Sequence, residues 1–135
     1  MSDKKSASFT LLELLVVIII IGILSALGLA GFTKTKQNVL SKEAKSNIKL
    51  IAAAEKIYRM EDAGSSYGAC STAAICNTML KLDLNTTNWL YKVELNGGVA
   101  TITATLVGTP ACTYTLSSAN FNANPSPSGC PAGMD

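Results

Sequence analysis

A chain of 135 residues that is 48% hydrophobic, and that sets eleven Lys and Arg against nine Asp and Glu for a net charge of +2, has room for one modest globular domain beside an anchor. The near balance excludes the strong electrostatic pull of a nucleic-acid-binding protein. Histidine is absent, and after residue 62 the only carboxylates are Asp83, Glu94 and Asp135, so the usual general bases and metal ligands are missing where a pocket could form, and catalysis is not expected.

The chain begins with Lys4 and Lys5 ahead of an apolar run, KKSASFTLLELLVVIIIIGIL over 4–24. Residues 14–33 carry no charge, and as a helix they span about 30 Å, the thickness of a bilayer's hydrocarbon core. Three fates are open to such a segment. A secretory signal would be cut after the run, where Gly28-Leu29-Ala30 offers a small-x-small site; a plain anchor would stay uncut; a third route would cut before the run, after Ser8, and keep the helix in the mature protein. Glu13 separates these routes, because an acidic residue inside an apolar helix costs roughly 2.5 to 3.5 kcal/mol on insertion scales and needs a partner. Cleavage after Ser8 makes one, since Phe9 becomes a new chain start whose α-amino group is positive near neutral pH. That amine lies about one turn from Glu13 of its own helix, and it can also pair with Glu13 of a neighbouring helix shifted along a common axis. The plainer alternative is a protonated glutamate tolerated near the membrane interface.

The segment KKSAS-FTLLELLVVIIIIGILSALGLAGF resembles the class III leader and first helix of type IV pilins and type II secretion pseudopilins. The shared features are a short basic leader, Phe9 as first mature residue, Thr10 after it, Glu13 as fifth mature residue and Gly22 in the middle of the apolar helix. The resemblance implies a leader over 1–8 cut between Ser8 and Phe9 by a prepilin peptidase, N-methylation of Phe9, and subunit assembly through Phe9 and Glu13. The chain departs from the family pattern at Ser8, where Gly is usual, and in lacking the proline common in the second half of this helix. Filaments of the resembling family loosen the helix between the middle glycine and that proline. Here Gly22, Gly28 and Gly31 are expected to loosen it instead, each lowering helix propensity by about 1 kcal/mol relative to Ala. The same small residues also let membrane helices approach closely.

Residues 33–62 hold neither Gly nor Pro and keep helical periodicity, so the helix is expected to run from Phe9 to about residue 63, roughly 80 Å at 1.5 Å per residue. Leu40, Ala44, Ile48, Ile51 and Tyr58 fall on one side, and Val39, Leu50, Ala53 and Ile57 on another. They form either one broad core-facing stripe or two stripes with two partners. Lys42, Lys45, Lys49 and Lys56 share the remaining face, which reads as solvated. A connector over 64–88 follows, rich in Gly, Ser, Thr and Asn, with only NTMLKL able to make a short helical turn.

Strand signals come next, WLYKVEL at 89–95, VATITATLV at 99–107 and CTYTLS at 112–117, separated by turns at Asn96-Gly97-Gly98 and near Gly108-Thr109-Pro110. They predict an antiparallel meander over 89–117, with Trp89, Tyr91, Val93 and Leu95 facing the helix and Lys92 and Glu94 facing solvent. Ile102, Ala104, Leu106, Tyr114 and Leu116 extend the buried face. The tail from Ala119 is too rich in Pro and Gly for regular structure. The four cysteines, Cys70, Cys76, Cys112 and Cys130, follow the apolar run and form no C-x-x-C pair of the zinc or redox kind. Three pairings are open, besides four buried thiols. Cys70 with Cys76 and Cys112 with Cys130 is favoured because each closes a local loop rich in Gly, Ser, Asn or Pro. Bridges would place this region outside a reducing cytoplasm, and therefore the amino terminus inside. The loop 112–130 resembles the exposed, variable edge of pilins.

The expected fold class is α+β, a long amino-terminal helix packed on a small antiparallel sheet, with leader 1–8, membrane and polymerisation helix 9–33 and globular domain 34–135. The expected function is structural, as the major pilin of a type IV pilus. Such a subunit polymerises with itself into a helical homopolymer, is handled by the prepilin peptidase and pilus assembly machinery, and sits in the inner membrane before joining an extracellular filament. It needs no cofactor, no metal and no specific nucleic acid. One alternative is the major pseudopilin of type II secretion, whose carboxy-terminal loop typically binds calcium through carboxylates that residues 117–134 lack. Another is a minor pilin acting as a DNA- or surface-binding module, for which the chain offers only Lys81 and Lys92 after Arg59. A conductive filament built on aromatic stacking would have only Phe9, Phe32 and Tyr58 on the helix.

Overall fold

The computed structural model describes residues 9–62 and 66–134; the expected leader 1–8, with Ser8, lies outside the described residues. The chain divides into two compact units, Met1–Lys36 and Gln37–Asp135. A single helix, α1 (Leu11–Glu61), supplies the described regular structure of the first unit and the opening of the second. Thr10 starts it. The Thr10 carbonyl accepts from the Glu13 and Leu14 amides at 3.1 and 3.2 Å, and Thr10 Oγ1 accepts from the Glu13 amide at 3.3 Å. This is the N-cap geometry of a T-x-x-E sequence, in which a hydroxyl satisfies a first-turn amide that has no partner within the helix. Downstream, α1 is unbroken through Gly22, Gly28 and Gly31 in the single chain. Ser25 and Thr35 hydroxyls bond back to the Ile21 and Gly31 carbonyls at 2.8 and 2.9 Å.

In the second unit α1 is amphipathic. Ala44, Ile48, Ile51 and Ala52 are buried, and Leu40, Ala54 and Tyr58 pack half-buried against the same core. Val39, Leu50 and Ile57 stay 59%, 47% and 53% exposed. The helix therefore carries two stripes, of which the domain covers one, since the crossing sheet reaches only part of the helical circumference.

The sheet has four antiparallel strands in the order β1-β2-β3-β4, namely β1 (Trp89–Asn96), β2 (Val99–Leu106), β3 (Thr113–Ser117) and β4 (Ser126–Ser128). Gly97 and Gly98 join β1 to β2 with φ of 58° and 81°, the paired positive values of a two-residue hairpin turn that other residues enter at a cost. Alternation then sorts the strands. Trp89, Tyr91, Val93, Ile102, Ala104, Tyr114 and Leu116 are buried, with Trp89 and Tyr114 edge-to-face at 5.5 Å.

Four expectations change. Leu95, one step from the hairpin turn, is exposed although its cross-strand partner Ala100 is buried, because the longer leucine side chain reaches past the covered part of this face. The tail is not wholly irregular, since β4 adds to β3 with Pro127 opposite Tyr114, and an edge strand tolerates a residue without an amide proton. The connector holds a full helix, α2 (Ala73–Leu80), beginning where Thr72 accepts from the Ile75 amide and ending at Lys81 in the left-handed region with φ 53°. The lysine face is not simply solvated. The Lys49 ammonium donates to the carbonyls of Phe121 and Asn122 at 3.2 Å each and to that of Ala123, while Lys45 and Lys56 lie over the rings of Tyr114 and Phe121. The long lysine stems cross apolar surface and deliver their charges to acceptors that the tail provides.

Candidate assembly interface

Every large apolar side chain from Phe9 to Leu24 is exposed in the single chain. Such a surface is far beyond what a soluble monomer presents, and it needs lipid or other helices as its solvent. By length and composition this part of α1 is able to cross a membrane. Glu13 is the sole charge among residues 9–33 and sits in the first helical turn, three residues after the Thr10 cap. An acid suits that place, because the amide dipoles of the turn leave partial positive charge there. In the sequence as it stands the Phe9 nitrogen is acylated by Ser8, so it carries no charge that could pair with Glu13.

The exposed stripe in the second unit borders a groove between α1 and α2. Leu50, Ala53, Ile57 and Tyr58 form one wall and Met79 to Leu82 the other. The groove wall is braced from behind. Cys70 and Cys76 are joined by a disulfide, Cys70 exchanges backbone hydrogen bonds with Val93 of β1 at 3.0 and 2.8 Å, and the Asn77 side chain accepts from the Leu84 amide at 2.9 Å. The second disulfide, Cys112–Cys130, ties the tail to the β2–β3 connection. The end of the described chain is fixed as well. Tyr114 Oη donates to the Met134 carbonyl, Ser41 Oγ of α1 donates to the same carbonyl at 3.1 Å, and Met134 itself is buried.

The structure thus joins the four cysteines in two local pairs, sets Phe9 and Glu13 at the exposed start of α1, and keeps Gly22, Gly28 and Gly31 inside the continuous helix. Among the described residues no group of three or more Cys, Asp or Glu is placed to hold a metal ion. Sequence reasoning missed Glu55, which is completely buried with Oε2 accepting from the Gly68 amide at 2.8 Å. Burial pushes its carboxyl above the ordinary value, and the Gly68 hydrogen bond pulls weakly the other way. Glu55 stands between Ile51 and Tyr58 of the core stripe in helical spacing, and that was its one signal.

A helix of this kind leading into a small antiparallel domain defines a pilin-like class of protein, and comparison with known proteins agrees. The family model of the prokaryotic N-terminal methylation motif matches residues 3–29. The type IV major pilin protein PilA of Myxococcus xanthus (strain DK1622) is 39% identical over 59 residues, which are 44% of this chain and 27% of that relative. The similarity therefore spans little more than a quarter of the relative's length. No solved structure matches the chain. The amino-terminal part of the chain is thus similar to type IV pilins, a structural and not an enzymatic family.

Proposed function

We propose that the chain is the major subunit of a type IV pilus filament. In this reading the prepilin peptidase cuts between Ser8 and Phe9, the new Phe9 amine is methylated, and the apolar half of α1 holds the subunit in the inner membrane. The pilus assembly machinery then moves it into an extracellular helical homopolymer. The observation that carries the reading is the apolar surface from Phe9 to Leu24, wholly exposed and interrupted by one carboxylate near its start. A lipid anchor alone would not require that charge, whereas stacked helices offset along an axis give it a partner in the Phe9 amine of a neighbour.

The exposed stripe Val39, Leu50 and Ile57 is then available to neighbouring subunits, and Gly22, Gly28 and Gly31 are where the helix would loosen on assembly. The tail favours a pilus over a secretion pseudopilin, because residues 117–134 contain no carboxylate for a calcium ion and Cys130 closes the loop instead. The test is to shear surface filaments from cells producing this chain and sequence their subunit from its amino terminus. A mature chain starting at Phe9 in the sheared fraction is expected; a product starting after Ala30, found only in the soluble fraction, would refute the reading.

A further inference from the structure

Glu55 has no evident place in filament assembly, and its surroundings are unusual. It is 0% exposed, Oε2 accepts from the Gly68 amide at 2.8 Å, and among the described residues Oε1 has no hydrogen-bond partner. A buried carboxylate with one bond and no cation is costly, since each unmet acceptor forfeits its hydration. The ionisable groups on the elements packed around it do not balance it. On α1 these are Lys56, which lies over Phe121, Tyr58, and Arg59, which bonds Tyr67 Oη at 3.0 Å; on the facing segment 66–70 there is Tyr67. The α2 helix carries no charged side chain, and Cys76 is bridged; on β1, Tyr91 bonds Asn47, and Lys92 pairs with Glu94 at 3.1 Å on the surface. The carboxyl is governed by burial and by one backbone amide.

That amide belongs to the short segment 66–69, whose Tyr67 lies edge-on to Phe121 at 5.6 Å, a contact that release of the segment would have to break. Residues 66–69 have no regular structure, while Cys70 is fixed by its disulfide and by its bridge to Val93. Gly68 lies so close to its neighbours that an added Cβ would come within 2.8 Å of Met79 Cε and 3.4 Å of Tyr58 Cε1. Met79 and Tyr58 also line the α1–α2 groove. The position of Gly68 therefore sets the position of a groove side chain.

We propose that Glu55 is a proton-operated latch, which in its neutral form holds residues 66–69 closed on α1 with Met79 seated in the groove, and which on ionisation releases that segment about the anchored Cys70. The direction follows from solvation. Lifting the segment admits water to both carboxylate oxygens, which favours the charged form, whereas the closed state favours the neutral one. Opening is thus rare in acid and grows as pH rises past the ordinary carboxylate value, reaching a plateau above the closed-state value. The groove surface offered to a partner changes with it. None of this depends on the filament reading, because the latch lies within one chain.

The test uses the full chain in detergent micelles with its disulfides intact, from about pH 4 to about pH 8, a range that starts near the free carboxyl value and runs well above it. Exchange of the Gly68 amide, corrected for its intrinsic rate and referred to β2 amides, is expected to rise about tenfold for each pH unit between the open and closed values of the carboxyl. The Met79 methyl resonance is expected to move along the same curve. In Glu55→Gln both should be independent of pH. Flat exchange in the wild type, or a rise that survives in Glu55→Gln, overturns the proposal. Should that variant fail to fold, the wild type decides alone: a Glu55 side-chain carbon that titrates with a different midpoint from the Met79 methyl also overturns it.

Discussion

Replacing Glu13 separates two roles that differ in size. In the single chain it is a first-turn acid after the Thr10 cap, a placement worth about 0.3 to 1 kcal/mol. The Thr10 hydroxyl accepts from the backbone amide of residue 13, so this cap survives any side-chain change there. In the proposed filament, Glu13 pairs with a neighbour's Phe9 amine where water is scarce, and removing one partner of such a pair costs about 3 to 5 kcal/mol. At about 1.4 kcal/mol per tenfold, the first role shifts subunit affinity by less than about tenfold, the second by about two to three and a half orders of magnitude. Glu13→Gln and Glu13→Leu are therefore both expected to leave membrane insertion and cleavage intact and to shorten or abolish filaments. Leu should fare no better than Gln, because although it removes the desolvation of the carboxylate it leaves the ammonium unpaired. The assay is to express each variant as the sole subunit, match the amounts of processed protein in the membrane, and count and measure filaments by electron microscopy. Wild-type numbers and lengths with Glu13→Leu would show that the carboxylate serves only its own helix.

Opening Cys112–Cys130, which spans 18 residues, should lower domain stability by about 3 kcal/mol without dissolving filaments, as read by denaturant melts and by microscopy of the Cys112→Ser, Cys130→Ser double variant. Lys49→Met keeps the stem but strips the donor from the Phe121, Asn122 and Ala123 carbonyls; a loss of about 1.5 to 3 kcal/mol is expected, with faster proteolysis confined to the tail. Glu55 has a folded value raised above its unfolded one, so its penalty is absent below the unfolded value and grows as pH rises through and beyond it. Wild-type stability should therefore fall relative to Glu55→Gln over that window, and parallel stability-versus-pH curves for the two proteins would refute the assignment.

Much of the plan is legible because it rests on patterns of long period. An uncharged run of bilayer length, a single carboxylate at its start and thirty further residues without Gly or Pro define α1 and its two solvents, and alternation in WLYKVEL and TITATL gives strand faces directly. Gly97-Gly98 marks its own turn. What escapes detection is decided by partners distant in the chain. The α2 helix is short, and its clearest signal, Thr72 ahead of an alanine-rich turn, is drowned by the surrounding Ser, Thr and Asn. Strand β4 contradicts propensity outright, since SPS becomes a strand only because β3 offers it an edge and Cys130 holds it there. Lysine 49 looks like any solvated lysine until the tail folds three carbonyls onto it. In the proposed assembly surface, Phe9 and Glu13 are conspicuous by charge and position, whereas Glu55 lies hidden in helical phase with apolar neighbours, and only the Gly68 amide reveals why a carboxyl is tolerated there.

The division of labour along α1 leads to a last prediction. Among the described residues every buried side chain lies at or beyond Ser41, both disulfides lie beyond residue 69, and the exposed side chains from Phe9 to Leu24 add nothing to the core. Removal of residues 1–36 should therefore leave the domain folded. The cut creates a new helix start at Gln37, with four amides lacking intrahelical partners, but these reach only to Leu40, which is half-buried, and water can satisfy them. Just past that point Ser41 is pinned to the Met134 carbonyl, with Tyr114 on the same acceptor, so fraying meets a fixed point within its first turns. The expected loss is about 1 kcal/mol, the scale of a missing cap, which lowers Tm by about 4 to 8 °C in a domain of this size. The soluble fragment should show dispersed amide resonances and a cooperative melt, and it should form no filaments at any concentration. A fragment without fixed tertiary structure, set against a folded full chain in detergent, would show that the apolar half of α1 is needed for the fold, and the separation of folding from assembly would fail.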